Sequence, residues 1–300
     1  MLRAAIDIGS NSVRLLVARV DGGEFKPLVK HIETTRLHEG LGEGNVLSAD
    51  SMARTAGAIE RFAAEAKANG VGAEDIFAFA TSAVRDAANG REFMDMVARE
   101  CGVTIRLLSG EQEAGYAYYA AARPGECGVL DIGGASTEMI CGCDGRIRAA
   151  YSAQMGAVRL RRMLGGPEVR PLPEDMIARA LTVLRPGIEQ IAPVPAQFVG
   201  VAGTITTLYA LKIGLKEYDP DVIQGGWLAR AEVEEWFYRL CGMSVAERLT
   251  LPGMPARRAD IIDYGAAVLV AFMRLSGLEG IYVSDRDNLY SAVMLCGGDA

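Results

Sequence analysis

Histidine is nearly absent from this 300-residue chain, which holds two, His31 and His38. That scarcity leaves a histidine-based triad or a Cys/His metal cluster without its usual members. Cysteine is sparse as well. Cys101, Cys127, Cys141, Cys143, Cys241 and Cys296 include no C-x-x-C pair. Cys141 and Cys143 alternate along one strand face without making a zinc site. Inert thiols in a reducing compartment are expected. No apolar run approaches the roughly 20 residues of a membrane span, and the opening MLRAAIDIGS has no hydrophobic signal region. A cytoplasmic protein without a membrane partner is expected. Positive charge is in deficit: 31 Lys and Arg against 38 Asp and Glu leave −7, which argues against a nucleic-acid partner. A small phosphorylated ligand is still permitted, because a local pocket of amides, arginines and a metal overrides the global field.

What is present is an ordinary globular composition, 50% hydrophobic and 23% charged, with length for about two domains. The first 35 residues read as an antiparallel meander, Ala4–Asp7, Val13–Val20 and Phe25–Thr34, turning at GSNS and DGGE. RLHEGLGEGN reads as a Gly-rich loop. From Ser51 a helical stripe (Met52, Ala56, Ile59, Phe62, Ala63, Ala66) runs to Asn69-Gly70. IFAFAT is a buried strand, a second helix closes at Gly102, and VTIRLL is a further strand. SGEQEAGYAYYAAA then opens a helix whose Ser109 and Gln112 have capping-box spacing. After RPGEC the pattern restarts: GVLDIGGASTEMICGC and GRIRAAYSA repeat the meander, a helical stretch comes next, and FVGVAGTITTLYAL breaks from strand to helix at Ala202-Gly203. RRADIIDYGAAVLVAFMRL reads as a long amphipathic helix and GIYVSD as a last strand. Two halves with similar openings predict a duplicated α/β fold, divided 1–122 and 123–287, with 288–300 packing back on the first half.

The chemistry concentrates at the turns. AIDIGSNSVRLL and GVLDIGGASTEMI are one pattern written twice. A tight turn rich in Gly, Ser and Asn gathers backbone N–H groups into an anion-binding nest. Gly9, Ser10, Asn11 and Ser12 form the first candidate phosphate loop, and Gly133, Gly134 and Ser136, with Thr137, the second. Asp7 and Asp131 occupy equivalent strand ends, where a carboxylate beside phosphate calls for a cation; Mg²⁺ takes one or two carboxylates and keeps several waters. Gly203-Thr204 opens a helix, a weaker anion signal.

These motifs lie in the order found in the actin, sugar-kinase and heat-shock ATPase superfamily. DIGSNSVRLL, ATSAVRDAANG, SGEQEAGYAYYA, LDIGGASTEM, GAVRL, GVAGTITTLYAL and RRADIIDYGAAVL together resemble the exopolyphosphatase / guanosine-pentaphosphate phosphohydrolase (Ppx/GppA) family over nearly the whole chain. The resemblance implies two actin-like (ribonuclease-H-like) domains, mixed sheets flanked by helices, with the active site in the interdomain cleft. It also implies Mg²⁺, or another divalent cation, and hydrolysis of terminal phosphoanhydride bonds of polyphosphate or pppGpp. Glu113 matches the family's general base. If Ser109 caps the helix, Glu111 and Glu113 project about 200° apart, so one faces inward and the other solvent. Glu138, seven residues after Asp131, matches an acid near the metal or water; counted along the chain it has the opposite parity, so the turn must carry it round. Arg85 and Asn89 match cleft-lining residues, with Arg85 the preferred phosphate clamp.

Three features depart from the family's pattern. Ala135 replaces a common glycine in the second loop, which predicts an altered tip. Gln224 stands where a histidine is usual. VSDRDNLYSAVML keeps Ser284 and Asp285 but lacks the usual glycines and an Arg-Glu pair. Those changes keep a second function class open, a catalytically weak sensor of (p)ppGpp or polyphosphate. Arg159, Arg161 and Arg162, with Arg146 and Arg148, are the one candidate basic track for a long polyanion, and a solvated helix face is the plainer reading. A homodimer stays open.

Overall fold

The computed structural model describes residues 1–21, 24–37 and 44–295. The Gly-rich loop and the DGGE turn fall largely on 38–43 and 22–23, outside the described residues, as do His38, Cys296 and 296–300. The chain divides into two compact units, 1–116 with 288–300, and 117–287.

In the first unit β1 (Leu2–Ile8), β2 (Ser12–Asp21) and β3 (Glu24–Thr34) form the meander. Helix α1 (Ala49–Ala68) comes next, started by Ser48, whose side chain accepts from Ser51 N. Then come β4 (Ile76–Ala80), α2 (Ser82–Arg85), α3 (Gly90–Cys101), β5 (Ile105–Leu107) and α4 (Gly110–Ala121), the helix in which the chain leaves this unit. The strand order is β3-β2-β1-β4-β5, with β1, β4 and β5 parallel. Pro27 lies on the edge strand β3 beside a register shift in its pairing with β2, the kind of position where a strand tolerates proline.

The second unit repeats this plan. Its meander is β6 (Glu126–Ile132), β7 (Thr137–Cys143) and β8 (Arg146–Ala153), leading into α5 (Ala157–Met163) and α6 (Pro173–Ile191). Next are β9 (Phe198–Val201), α7 (Ala202–Ile213), α8 (Pro220–Ile223), β10 (Trp227–Ala229), α9 (Arg230–Gly242), α10 (Val245–Arg248), α11 (Ile262–Ser276) and β11 (Gly280–Val283). The sheet order is β10-β11-β9-β6-β7-β8, with β11, β9 and β6 parallel. The chain then returns to the first unit as α12 (Asn288–Leu295).

One helix differs from the sequence expectation. RRADIIDYG does not open as helix: α11 begins at Ile262, and it is not amphipathic, because Ile262 through Met273 are all buried. A helix apolar all round belongs in an interior, and α11 is the centre of the second unit's core, with Phe272 against Phe198. Among the described residues no helix is long and apolar enough to cross a membrane.

Candidate functional site

Open α/β sheets collect ligands at the carboxyl ends of their parallel strands, where the connecting turns expose backbone groups. In the first unit those ends, on β1, β4 and β5, carry Asp7 to Ser12, Thr81 to Arg85, and Leu108 to Glu113. At the end of β1 the Gly9 N–H donates to Ser12 O at 3.1 Å, closing the turn that holds Ser10 and Asn11. Ser10 and Ser12 are buried, and the Asn11 amide Nδ2 is a buried donor with no hydrogen-bond partner among the described residues. An orphaned donor in such a turn is what a phosphate oxygen would satisfy. Asp7 lies directly across the ladder from Arg14, whose Nε donates to Asp7 Oδ2 at 3.0 Å.

Glu113 sits in the first turn of α4. Both arms of the capping box form, Gln112 N to Ser109 Oγ at 3.2 Å and Ser109 N to Gln112 Oε1 at 3.0 Å. The helical rotation then separates the two acids: Glu111 is exposed, whereas Glu113 is 6% exposed. Arg85, on α2, donates to Leu108 O at 2.9 Å and reaches Glu113 Oε2 at 3.4 Å. Its guanidinium therefore braces the turn before α4 and lies against the acid. Asn89 has a different task, clipping the backbone at Leu47 through both ends of its amide, at 2.8 and 3.0 Å.

In the second unit the ends of β6, β9 and β11 bring together Asp131 to Ser136, Ala202 to Thr204, and Ser284-Asp285. The turn is built like the first, with Gly133 N–H donating to Ser136 O at 3.0 Å. Its tip is fixed by the segment after β8: Ala157 N donates to Gly133 O and Arg159 N to Gly134 O, both at 3.0 Å. Gly156 makes that approach feasible, since a Cβ there would stand 2.5 Å from the Gly134 carbonyl carbon. This accounts for the GAVRL motif. Ala135 is buried and its φ is not positive, so the position does not require glycine.

Asp131 and Glu138 are paired residues in the antiparallel register. They share one sheet face, which corrects the parity count: in a hairpin, partners are set by the sum of their numbers, not by the odd or even difference. Glu138 Oε1 accepts from Ser152 Oγ at 2.8 Å. Thr204 Oγ1 donates to Ile132 O at 3.5 Å, tying the third turn to the second loop. Ala202 takes a left-handed φ of +63°, unusual outside glycine. Gly203 leaves room for a neighbouring side chain. The Arg258 guanidinium lies where its side chain would be, 1.9 Å from an ideal Cβ.

Sequence reasoning missed Arg14, Gly156 and Arg258. Arg14 stands seven residues after Asp7 as Glu138 does after Asp131, and that spacing was the available signal. Among the described residues no group of three or more His, Cys, Asp or Glu could hold a metal. The donor chemistry still discriminates between hairpins. Two carboxyls side by side at Asp131 and Glu138 suit Mg²⁺, a hard cation that needs one or two, whereas Asp7 already meets a guanidinium. Of the basic cluster, Arg146 and Arg162 are exposed, Arg148 donates to the carbonyls of Ile191, Ala192 and Pro193, and Arg161 pairs with Asp260 at 2.9 Å.

Residues 16–286 match the model of the Ppx/GppA phosphatase family. The chain is 33% identical over 309 residues to Exopolyphosphatase 2 of Mycobacterium tuberculosis, covering 95% of each. It is 27% identical to a bifunctional 3-dehydroquinate synthase/phosphatase of Fusobacterium nucleatum, across 98% of this chain and 46% of that one. Among solved structures, the PPX-GPPA enzyme of Aquifex aeolicus superposes with a TM-score of 0.80 at 30% identity, over 99% of both chains. An exopolyphosphatase from Cytophaga hutchinsonii, 22% identical over 98% of this chain and 97% of that one, shares the fold at a TM-score of 0.87.

Proposed function

Because the chain belongs to the Ppx/GppA phosphatase family, we propose that it is a phosphoanhydride hydrolase releasing orthophosphate from the end of inorganic polyphosphate, with pppGpp a second substrate of the same chemistry. Beyond the family itself, one arrangement supports this reading most: a buried carboxylate, Glu113, on the first turn of a capped helix with the Arg85 guanidinium at 3.4 Å. Glu113 is the general base. It takes a proton from water as the water oxygen bonds to the terminal phosphorus and the bridging P–O bond breaks, its electron pair leaving with the shortened chain. Arg85 holds Glu113 in place and offers positive charge to the phosphoryl oxygens. The Gly9–Ser12 and Gly133–Ser136 turns supply backbone and hydroxyl donors for phosphate, and the unsatisfied Asn11 amide is the most direct sign of an absent acceptor.

Asp131 and Glu138 would hold Mg²⁺, which when bound spreads the charge developing on the transferred group. Asp7 is better read as the partner that orients Arg14 beside the first loop. No covalent nucleophile is required.

The experiment is orthophosphate release, with Mg²⁺, from medium-chain polyphosphate and from pppGpp in parallel, for wild type and Glu113→Gln. Loss of a general base lowers the rate by about 10²-fold or more. A wild type that releases no phosphate from either substrate, or a variant that matches wild type, would overturn the proposal.

A further inference from the structure

Gln224 is assigned no part in the chemistry above. It lies just after α8, and the chain beyond it runs along the end of β11, with Gly225 N to Val283 O and Val283 N to Gly226 O both at 2.8 Å. Its side chain reaches over the turn leaving β11. One end of its amide lies 3.1 Å from Ser284 Oγ and 3.0 Å from Asp285 N. A backbone N–H can only donate, so that end is the carbonyl oxygen Oε1. The amide NH₂ is thereby aimed the other way. Gln224 is exposed, and among the described residues nothing accepts from that NH₂.

The turn that pins it is braced in its own right. Ser284 N donates to Gly200 O at 3.0 Å, Arg286 N donates to Ser284 Oγ at 3.0 Å, and Tyr218 OH donates to Asp285 Oδ1. Burial, and then the Asp285 carboxylate, push the Tyr218 hydroxyl up, so it remains a donor at neutral pH. Strand β11 neighbours β9, whose end carries Ala202, Gly203 and Thr204. A fixed donor therefore stands at the same sheet edge as the turns assigned to phosphate.

We infer that Gln224 is a specificity-determining contact, its NH₂ donating to a non-reacting phosphoryl oxygen of the bound polyphosphate chain. The inference rests on the hydrolase reading above. A donor whose rotamer is already set by two hydrogen bonds loses little freedom on binding, and a carboxamide keeps one charge state across the range in which an imidazole titrates.

Gln224→Glu tests it, because the carboxylate retains an acceptor for Ser284 and Asp285 while exchanging the NH₂ for an oxygen that repels phosphate. The expected result is a KM for polyphosphate raised about 10-fold or more, a smaller change in kcat, and an unaltered melting temperature. Gln224→His, with one ring nitrogen to accept and one to donate, should return KM to within about 3-fold of wild type. A KM for Gln224→Glu within two-fold of wild type would overturn the inference. If wild type releases no phosphate, calorimetric binding of tripolyphosphate separates the two ideas. Weaker binding by Gln224→Glu upholds the contact without the hydrolase, and equal binding removes it.

Discussion

Replacing Gly156 by alanine tests whether the second phosphate loop is held by the segment that docks on it. The added Cβ would lie 2.5 Å from Gly134 C, 2.6 Å from Gly134 O and 2.7 Å from Gly133 O. Ordinary carbon contacts begin near 3.5 Å, and all three neighbours are backbone, so no side chain can swing aside. The loop tip must retreat by about 1 Å, stretching the two 3.0 Å bonds from Ala157 and Arg159. Overpacking of this kind costs about 1–3 kcal/mol, and a 1 Å displacement of substrate-positioning groups can cost about 10²-fold in rate. Thermal melts and orthophosphate release from polyphosphate read both effects on one preparation. Gly57→Ala is the control. It lies inside α1, where its Cβ would meet only the flexible end of Arg61 at 3.4 Å, so stability should hold or rise by up to about 1 kcal/mol. A Gly156→Ala enzyme with wild-type melting and kcat/KM within 3-fold would refute the docking argument.

Two further outcomes concern stability. Arg248 is buried and donates to Leu240 O, Ala259 O and, at 2.5 Å, Asp263 Oδ2; Arg248→Met strands a buried carboxyl and should cost about 3–5 kcal/mol in denaturant unfolding, while Arg248→Met with Asp263→Leu recovers most of it. The Ser244 backbone N–H and hydroxyl hold the Glu247 carboxyl below its usual range. Its folded pKa is depressed, so this contribution is present above the unfolded value and fades as pH falls through the folded one; Glu247→Gln should flatten the acid side of the melting profile below about pH 4.5.

Much of the frame was readable because short-range rules wrote it. Period-2 strands interrupted by D-I-G, the Ser109/Gln112 cap and the opposed faces of Glu111 and Glu113 all arise from neighbours a few residues apart. What escaped depends on partners far along the chain. Arg161 meets Asp260, 99 residues on, and Arg148 meets the end of α6 more than 40 residues on, braces that spacing along the chain does not reveal. RRADIIDYGAAVLVAFMRL read as an amphipathic helix, whereas α11 is buried from Ile262 to Met273 and reaches solvent only in its last turn at Arg274. The divergent segment after Asp285 is explained by packing: Leu289 is buried among Ala5, Leu16, Phe79 and Leu108, worth about 1.5–3 kcal/mol, and Tyr290 rests against Phe25 at 4.3 Å. Where an Arg-Glu pair is usual, this chain has an apolar fastening for its last helix.

The two hairpins share a ladder register and differ in charge at the position that faces the strand-end aspartate. Opposite the strand-end aspartate the first carries Arg14 and the second Glu138. A duplicated frame was thus given two polarities by a single side chain in each copy. What balances the strand-end acid is written there, a cation built into the chain in the first copy and a second acid in the other, while the peptide geometry of the turn stays common to both.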